Sequence, residues 1–299
     1  MFKEYLVPVI KASKVLNRFT CKLFLDSMWS NLMERGVTFA GIELGFTKKD
    51  YCLKQVTYML SKEYADAFCK GWGYPEPIKG DEYWISHKPG IFSKYFKWFT
   101  FDKSTKGFTK EDVEEFVNLS NVSQKVKNQT LAFCNEVLDT EGHILALNTP
   151  LNVPFADKMR VYCIPARPEG KYFVDPDEII EFATCLGFSQ DLTKIEGMEG
   201  YDLECRYISV TIGKHGVERD FGVEITSKSK LGFSSALDYL KSVGLAEDSH
   251  IPSSSKLKGF HHIKLTFKNG KVTPKLYVSI GYSKYNDPKP QKKPTSRNS

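Results

Sequence analysis

With 299 residues, 41% of them hydrophobic and 13% aromatic, the chain can bury a sizeable core, which excludes a protein disordered throughout. Its net charge of +6 is mildly basic, without the clustered excess of a nucleic-acid binder. Seven cysteines, an odd number with no CxxC pair and no Cys/His cluster at ligand spacing, argue against a disulfide scaffold or a zinc module. Together with the lack of a signal-like or membrane-spanning apolar run, they predict a reduced, cytoplasmic protein with no membrane partner.

In chain order, a helix is predicted over residues 3–34. GVTFAGIELGF (36–46) and YCLKQVTYML (51–60) then read as two strands, with a helix at 61–74. A second hairpin, YWISHKPGIFSKYFKWFTF (83–101), precedes the helical KEDVEEFVNL (110–119). HILALNTPLN (143–152) and DKMRVYCIPA (157–166) are strands around a longer loop. DPDEIIEFATCLGF (175–188) follows as a helix with acidic residues in its first turn and Gly187 past its end.

RYISVTIGKHGVERDFGVEI (206–225) is a hairpin around Gly-Lys-His-Gly. In GFSSALDYLKSVGL (232–245), Phe233, Leu237, Leu240 and Val243 have helical spacing and Gly244 is a stop. The last hairpin, residues 260–283, turns on Asn269-Gly270, a type I′ signal. Its tail, from residue 286 to 299, is Pro-rich and basic and predicts disorder.

Five hairpins alternating with helices predict an α+β fold. Its form is a closed antiparallel β-barrel of repeated αββα units with helices outside, in a single domain over residues 1–285.

In such a barrel the apolar side of each strand meets the helices and the other sides share an interior. Lys158, Arg160 and Tyr162 alternate with Met159, Val161 and Cys163; Lys275, Tyr277 and Ser279 alternate with Leu276, Val278 and Ile280. Val217, Arg219 and Phe221 share one side, and Lys54 sits beside Val56 and Tyr58. Inward carboxylates read as scarce, with Glu218 and Asp220 on the wrong side of Arg219. Enclosed cations without carboxylates call for an anionic ligand such as a diphosphate. A solvent-facing polar side of an ordinary sheet is the plain alternative. Aromatic residues of KYFKWFTF, which also carries Lys94 and Lys97, would suit a greasy diphosphate ester.

The Gly-Val-Glu-Arg hairpin (Gly216 to Arg219), the Arg-Val-Tyr strand and the Lys275 strand resemble the ABBA-type soluble aromatic prenyltransferases. These are bacterial and fungal enzymes acting on phenols, naphthoquinones and phenazines. The likeness runs over roughly residues 12–282 and rests on the order of elements, with no single diagnostic motif.

The resemblance implies diphosphate contacts from Arg219, Lys275, Arg160, Tyr162, Lys54, Lys97 or Lys94, Tyr207 and Lys158. It implies an acceptor and prenyl pocket involving Asn148, Ser209, Ser279, Phe99, Phe221 and Tyr277, with no acid–base residue assigned. Where magnesium-dependent members carry an Asp, this chain has Lys54, which implies a magnesium-independent enzyme without cofactor. Its partners would be a dimethylallyl or geranyl diphosphate and a small electron-rich aromatic, and the chain would act as a monomer. Two other classes stay open: a non-catalytic barrel carrying an apolar or anionic small molecule, and a stacking platform for nucleic acid, against which the modest charge counts.

Overall fold

The computed structural model describes residues 37–46, 51–60, 82–87, 97–102, 107–150, 157–166, 173–188, 192–201, 203–227, 233–246 and 260–282. The predicted helices at 3–34 and 61–74, Lys94, and the tail lie outside these residues.

Ten strands lie among the described residues: β1 (Val37–Phe46), β2 (Tyr51–Leu60), β3 (Glu82–His87), β4 (Lys97–Asp102) and β5 (His143–Pro150), then β6 (Met159–Ile164), β7 (Leu203–Gly213), β8 (Gly216–Ser227), β9 (Phe260–Lys268) and β10 (Lys271–Tyr282). Each pairs antiparallel with its neighbours in sequence. Because β1 pairs with β10 as well as β2, the ladder closes into a ring.

Local sequence explains the hairpins. Asn269 and Gly270 both have positive φ, 50° and 72°, as a type I′ turn requires, and they set Lys268 opposite Lys271. Gly213 pairs with Gly216 across the Lys214-His215 turn.

Four helices are described: α1 (Lys110–Leu119), α2 (Gln124–Asp139), α3 (Pro176–Cys185) and α4 (Phe233–Ser242). Thr109 and Asp112 form a reciprocal capping box at α1, with bonds of 3.2 and 3.0 Å. Pro176 opens α3 and Gly187, at φ +77°, follows its end. Helix α2 is an addition to the sequence reading, which stopped at Leu119. Its buried Val126, Thr130, Phe133, Cys134 and Val137 have helical spacing behind the Ser123 cap, so the signal was present.

Helix α2 lies against β5 through β8, and α3 against β7. Met159, Val161 and Cys163, then Ile208, Val210 and Ile212, then Phe221, Val223 and Ile225, supply the strand side of one continuous apolar core with these helices. Alternation therefore assigns Phe221 to the core: its ring stacks on Phe267 at 4.9 Å and meets Phe188 at 4.6 Å. The expectation that Phe221 lines a ligand pocket is corrected accordingly. From Phe221 to Ile225 the odd-numbered positions of β8 are its apolar face, and Gly222 and Glu224 lie on the interior face.

Phe221 is 1% exposed, and truncating a packed aromatic of this kind costs about 3–5 kcal/mol. Phe221→Ala is expected to lower the unfolding free energy by that amount in urea titration. A loss below about 1 kcal/mol would place the ring elsewhere.

Candidate functional site

The interior faces carry a polar cluster. Opposite residues in an antiparallel ladder share a face, so the register defines rows across the strands. One row runs Asn148, Arg160 and Thr211; the next runs Ala146, Tyr162, Ser209, Gly222 and Thr266. A third joins Tyr207, Glu224, Lys264 and Lys275, and a fourth His262, Tyr277, Glu43 and Gln55.

Two buried carboxylates organise the side chains. Glu224, 3% exposed, lies 3.2 Å from the Lys264 ammonium and 2.8 Å from Nε2 of His262. Glu43, also 3% exposed, lies 2.9 Å from Lys275 Nζ through one oxygen and accepts a hydrogen bond from the Tyr277 hydroxyl at the other. The rings of His262 and Tyr277 stack at 4.1 Å, which joins the two carboxylate groups. On the β6 side, Tyr162 meets Tyr207 edge-on at 5.3 Å, Lys264 Nζ sits 5.4 Å from the Tyr162 ring centre, and Arg160 hydrogen-bonds Tyr162.

Charges in this group act on one another. Burial pushes both glutamates toward protonation. Lys275 and Tyr277 outweigh it at Glu43, and Lys264 and His262 at Glu224, so both stay below the usual carboxylate range. Burial pulls His262 below the ordinary imidazole value despite Glu224, leaving it neutral at pH 7. Burial also lowers Lys264, opposed by Glu224 and reinforced by Arg160. Desolvation works against Arg160, but Tyr162, Tyr277 and Glu43 overcome it and the guanidinium stays charged. Burial raises Tyr162, against the pull of Arg160, and burial with Glu43 raises Tyr277. Both phenols keep their protons and remain donors.

The expected residues distribute as follows. Arg160, Tyr162, Tyr207, Lys275 and Tyr277 belong to the cluster, with Tyr277 on Glu43. Asn148 and Ser209, 3% and 4% exposed, sit in its rows. Lys158 does not join it: it precedes β6, its side chain is 45% exposed and it pairs with Glu218. Ser279 stands opposite Gly41, two positions past Tyr277. In β4 the position opposite Asn148 is Thr100, whereas Phe99 is opposite Thr149 and Lys97 is opposite His87. In β2 the position opposite Glu43 is Gln55, and Lys54 falls in the register shift beside it. Arg219 lies between Val217 and Phe221, where four β8 positions span two of β7, and its side chain is outside the described residues.

Glu43, Glu224, His262 and Lys264 were missed. The expectation of few inward carboxylates is thus corrected. The signal was alternation: Ile42-Glu43-Leu44, Val223-Glu224-Ile225 and Ile263-Lys264-Leu265 each place one polar residue between two apolar ones.

No protein-family model and no curated protein sequence matches the chain. Solved structures do. The 5-dimethylallyl tryptophan synthase from Streptomyces coelicolor, in complex with DMASPP and Trp, aligns with a TM-score of 0.58 at 9% identity, over 99% of this chain and 98% of that one. AnaPT from Neosartorya fischeri aligns with a TM-score of 0.60 at 8% identity, over 93% and 90% of the two chains. The 6-dimethylallyltryptophan synthase from Micromonospora olivasterospora, also in complex with DMASPP and Trp, gives 0.53 at 11% identity over 81% of each. The fold is that of the ABBA-type aromatic prenyltransferases. At such identities the likeness is one of fold, and residue roles come from the site itself.

Glu224 and His262 both have pKa values lower folded than unfolded, so each takes up a proton more readily in the unfolded chain. Their stabilisation is present above the unfolded values and is lost as pH falls. The melting temperature is expected to be level near pH 7–8, to decline below about 6.5 as His262 contributes and to fall more steeply below about 4.3. Calorimetry across this range checks it; a melting temperature constant down to pH 4 would refute the buried pairing.

Proposed function

We propose that the protein is an aromatic prenyltransferase that moves a dimethylallyl or geranyl group from its diphosphate to an electron-rich small aromatic acceptor. The observation that carries this is the convergence of Arg160, Lys264 and Lys275, from three strands, with the protonated phenols of Tyr162 and Tyr277 in one enclosed patch.

Arg160 offers a planar fork to phosphate oxygens and the lysines offer point charges, while the phenols donate hydrogen bonds. Arg219, on β8, is proposed as a further diphosphate ligand. These groups stabilise the diphosphate as the allylic carbon–oxygen bond breaks and its electron pair leaves with the phosphate. The aromatic faces of Tyr162 and Tyr207 shield the allyl cation from water. The acceptor ring then supplies the electron pair for the new bond and gives up its proton afterward.

Glu43 and Glu224 neutralise part of the cationic patch before any ligand binds, so the diphosphate must draw the lysines from partners they already have. Fixed ammonium groups can supply the charge compensation a metal would give, and transfer is proposed to be magnesium-independent. The acceptor is proposed to be a phenol, dihydroxynaphthalene or phenazine. The DMASPP and Trp complexes of fold neighbours make indoles the comparison set.

The test is incubation with dimethylallyl and geranyl diphosphates and a panel of those four acceptor types, with and without EDTA. Product formation unaffected by EDTA is expected; absence of transfer to every acceptor would overturn the reading. Arg160→Ala and Lys275→Ala are each expected to lower kcat/KM for the prenyl diphosphate roughly 10–100-fold, the equivalent of about 1.5–3 kcal/mol for a charged hydrogen bond. The loss should be chiefly in KM. Wild-type kinetics in both variants would dissociate these cations from the diphosphate.

A further inference from the structure

Lys264 stands on β9 and Tyr162 on β6, with β7 and β8 between them. Three strand spacings amount to ~14 Å along the sheet, yet the Lys264 ammonium reaches 5.4 Å from the Tyr162 ring centre. Their side chains meet over two small residues. In the Tyr162 row, β7 supplies Ser209 and β8 supplies Gly222.

Gly222 is not there for its backbone, since its φ lies outside the positive range that would favour glycine. Space is the reason. A Cβ at this position would fall on Cε of Lys264, 2.8 Å from Ser209 Oγ and 3.3 Å from Lys264 Cγ. The aliphatic stem of Lys264 therefore lies flat across the bare backbone of Gly222.

We infer that Gly222, with Ser209 beside it, forms a trough that seats Lys264 and delivers its ammonium to the Arg160–Tyr162 side of the site. Gly222 is thus a positioning residue for an anionic ligand held between β6 and β9. Glu224, two positions further along β8, holds the same ammonium at 3.2 Å. Restricting the seat to glycine ties the reach of the cation to a single methyl-sized space. This inference rests on the diphosphate reading only for the identity of the ligand.

The experiment compares wild type, Gly222→Ala, Lys264→Ala and the double variant by pyrophosphate titration, prenyl-transfer kinetics and urea unfolding. Gly222→Ala is expected to weaken pyrophosphate binding and raise KM for dimethylallyl diphosphate about as much as Lys264→Ala does, roughly 10–100-fold. The double variant should show no further loss, because with the lysine stem gone the alanine meets only the Ser209 hydroxyl, which can rotate aside; such non-additivity is the mark of one residue acting through another. If Gly222→Ala alone does not fold, Lys264→Ala should restore the folded protein.

Unchanged pyrophosphate binding in Gly222→Ala, or losses that add in the double variant, would overturn the trough. If wild type itself neither binds pyrophosphate nor transfers a prenyl group, the diphosphate reading fails instead. The trough is then decided by unfolding: Gly222→Ala must destabilise the wild-type background and not the Lys264→Ala background.

Discussion

Everything in the interior depends on the pairing of Glu224 with Lys264 and His262. A ring of strands has one inside, and each strand sends every second residue there. Once the ladder closes between β1 and β10, a polar residue on the inner face of any strand is committed to the company of the others. Charge in that setting is tolerable only when paired, because desolvation of an isolated ion outweighs most of what packing returns. Among the described residues Glu224 pairs with Lys264, Glu43 with Lys275, and Arg160 is held by Tyr162, while the neutral His262, stacked on Tyr277, joins the two glutamate groups without adding charge.

This arrangement bears on how an anion could bind. The cations are not a vacant cradle: Lys264 and Lys275 each have a carboxylate, and Arg160 has Tyr162. On the proposed reading, an incoming diphosphate would exchange partners with them rather than meet bare charge, and part of its Coulombic attraction would be offset by loosening of the glutamate pairs. Carboxylate partners of this kind lower the cost of keeping the cations buried before any ligand binds. Protonated phenols add hydrogen bonds to the anion without adding charge that would have to be balanced in the empty state.

Much of the architecture was legible because it follows from local rules. The strand–turn–strand–helix order, the Asn269-Gly270 turn and the stop at Gly187 are all written in residues that act within a few positions of themselves. The convergence of Arg160, Tyr162 and Lys275 was legible too, since alternation on β6 and β10 is unbroken. The failure on β8 has a plain physical origin. On β8 the interior side was taken from Val217, Arg219 and Phe221, next to the hairpin. The strand's face is set further along, where Phe221, Val223 and Ile225 enter the core and leave Gly222 and Glu224 inside. Lys264 and His262 were left out although Ile263-Lys264-Leu265 alternates; what alternation does not encode is the space over Gly222, one row away on the neighbouring strand, that lets Lys264 reach Tyr162.

Fold neighbours at 8 to 11% identity follow from the same logic. Closure gives each strand an inner and an outer side, and an apolar core that keeps its total volume and patterning tolerates extensive hydrophobic substitution. The interior is constrained differently, by the sum of its charges and by which side chains can cross the barrel to meet. A Gly at one row and a Lys at the next form a unit, as do a Glu and the Lys and His that hold it. Within a shared barrel, one such unit can change without disturbing the core. The chemistry of this protein is therefore to be sought in its crossed pairs, Lys264 over Gly222 and Lys275 against Glu43, more than in the ring that carries them.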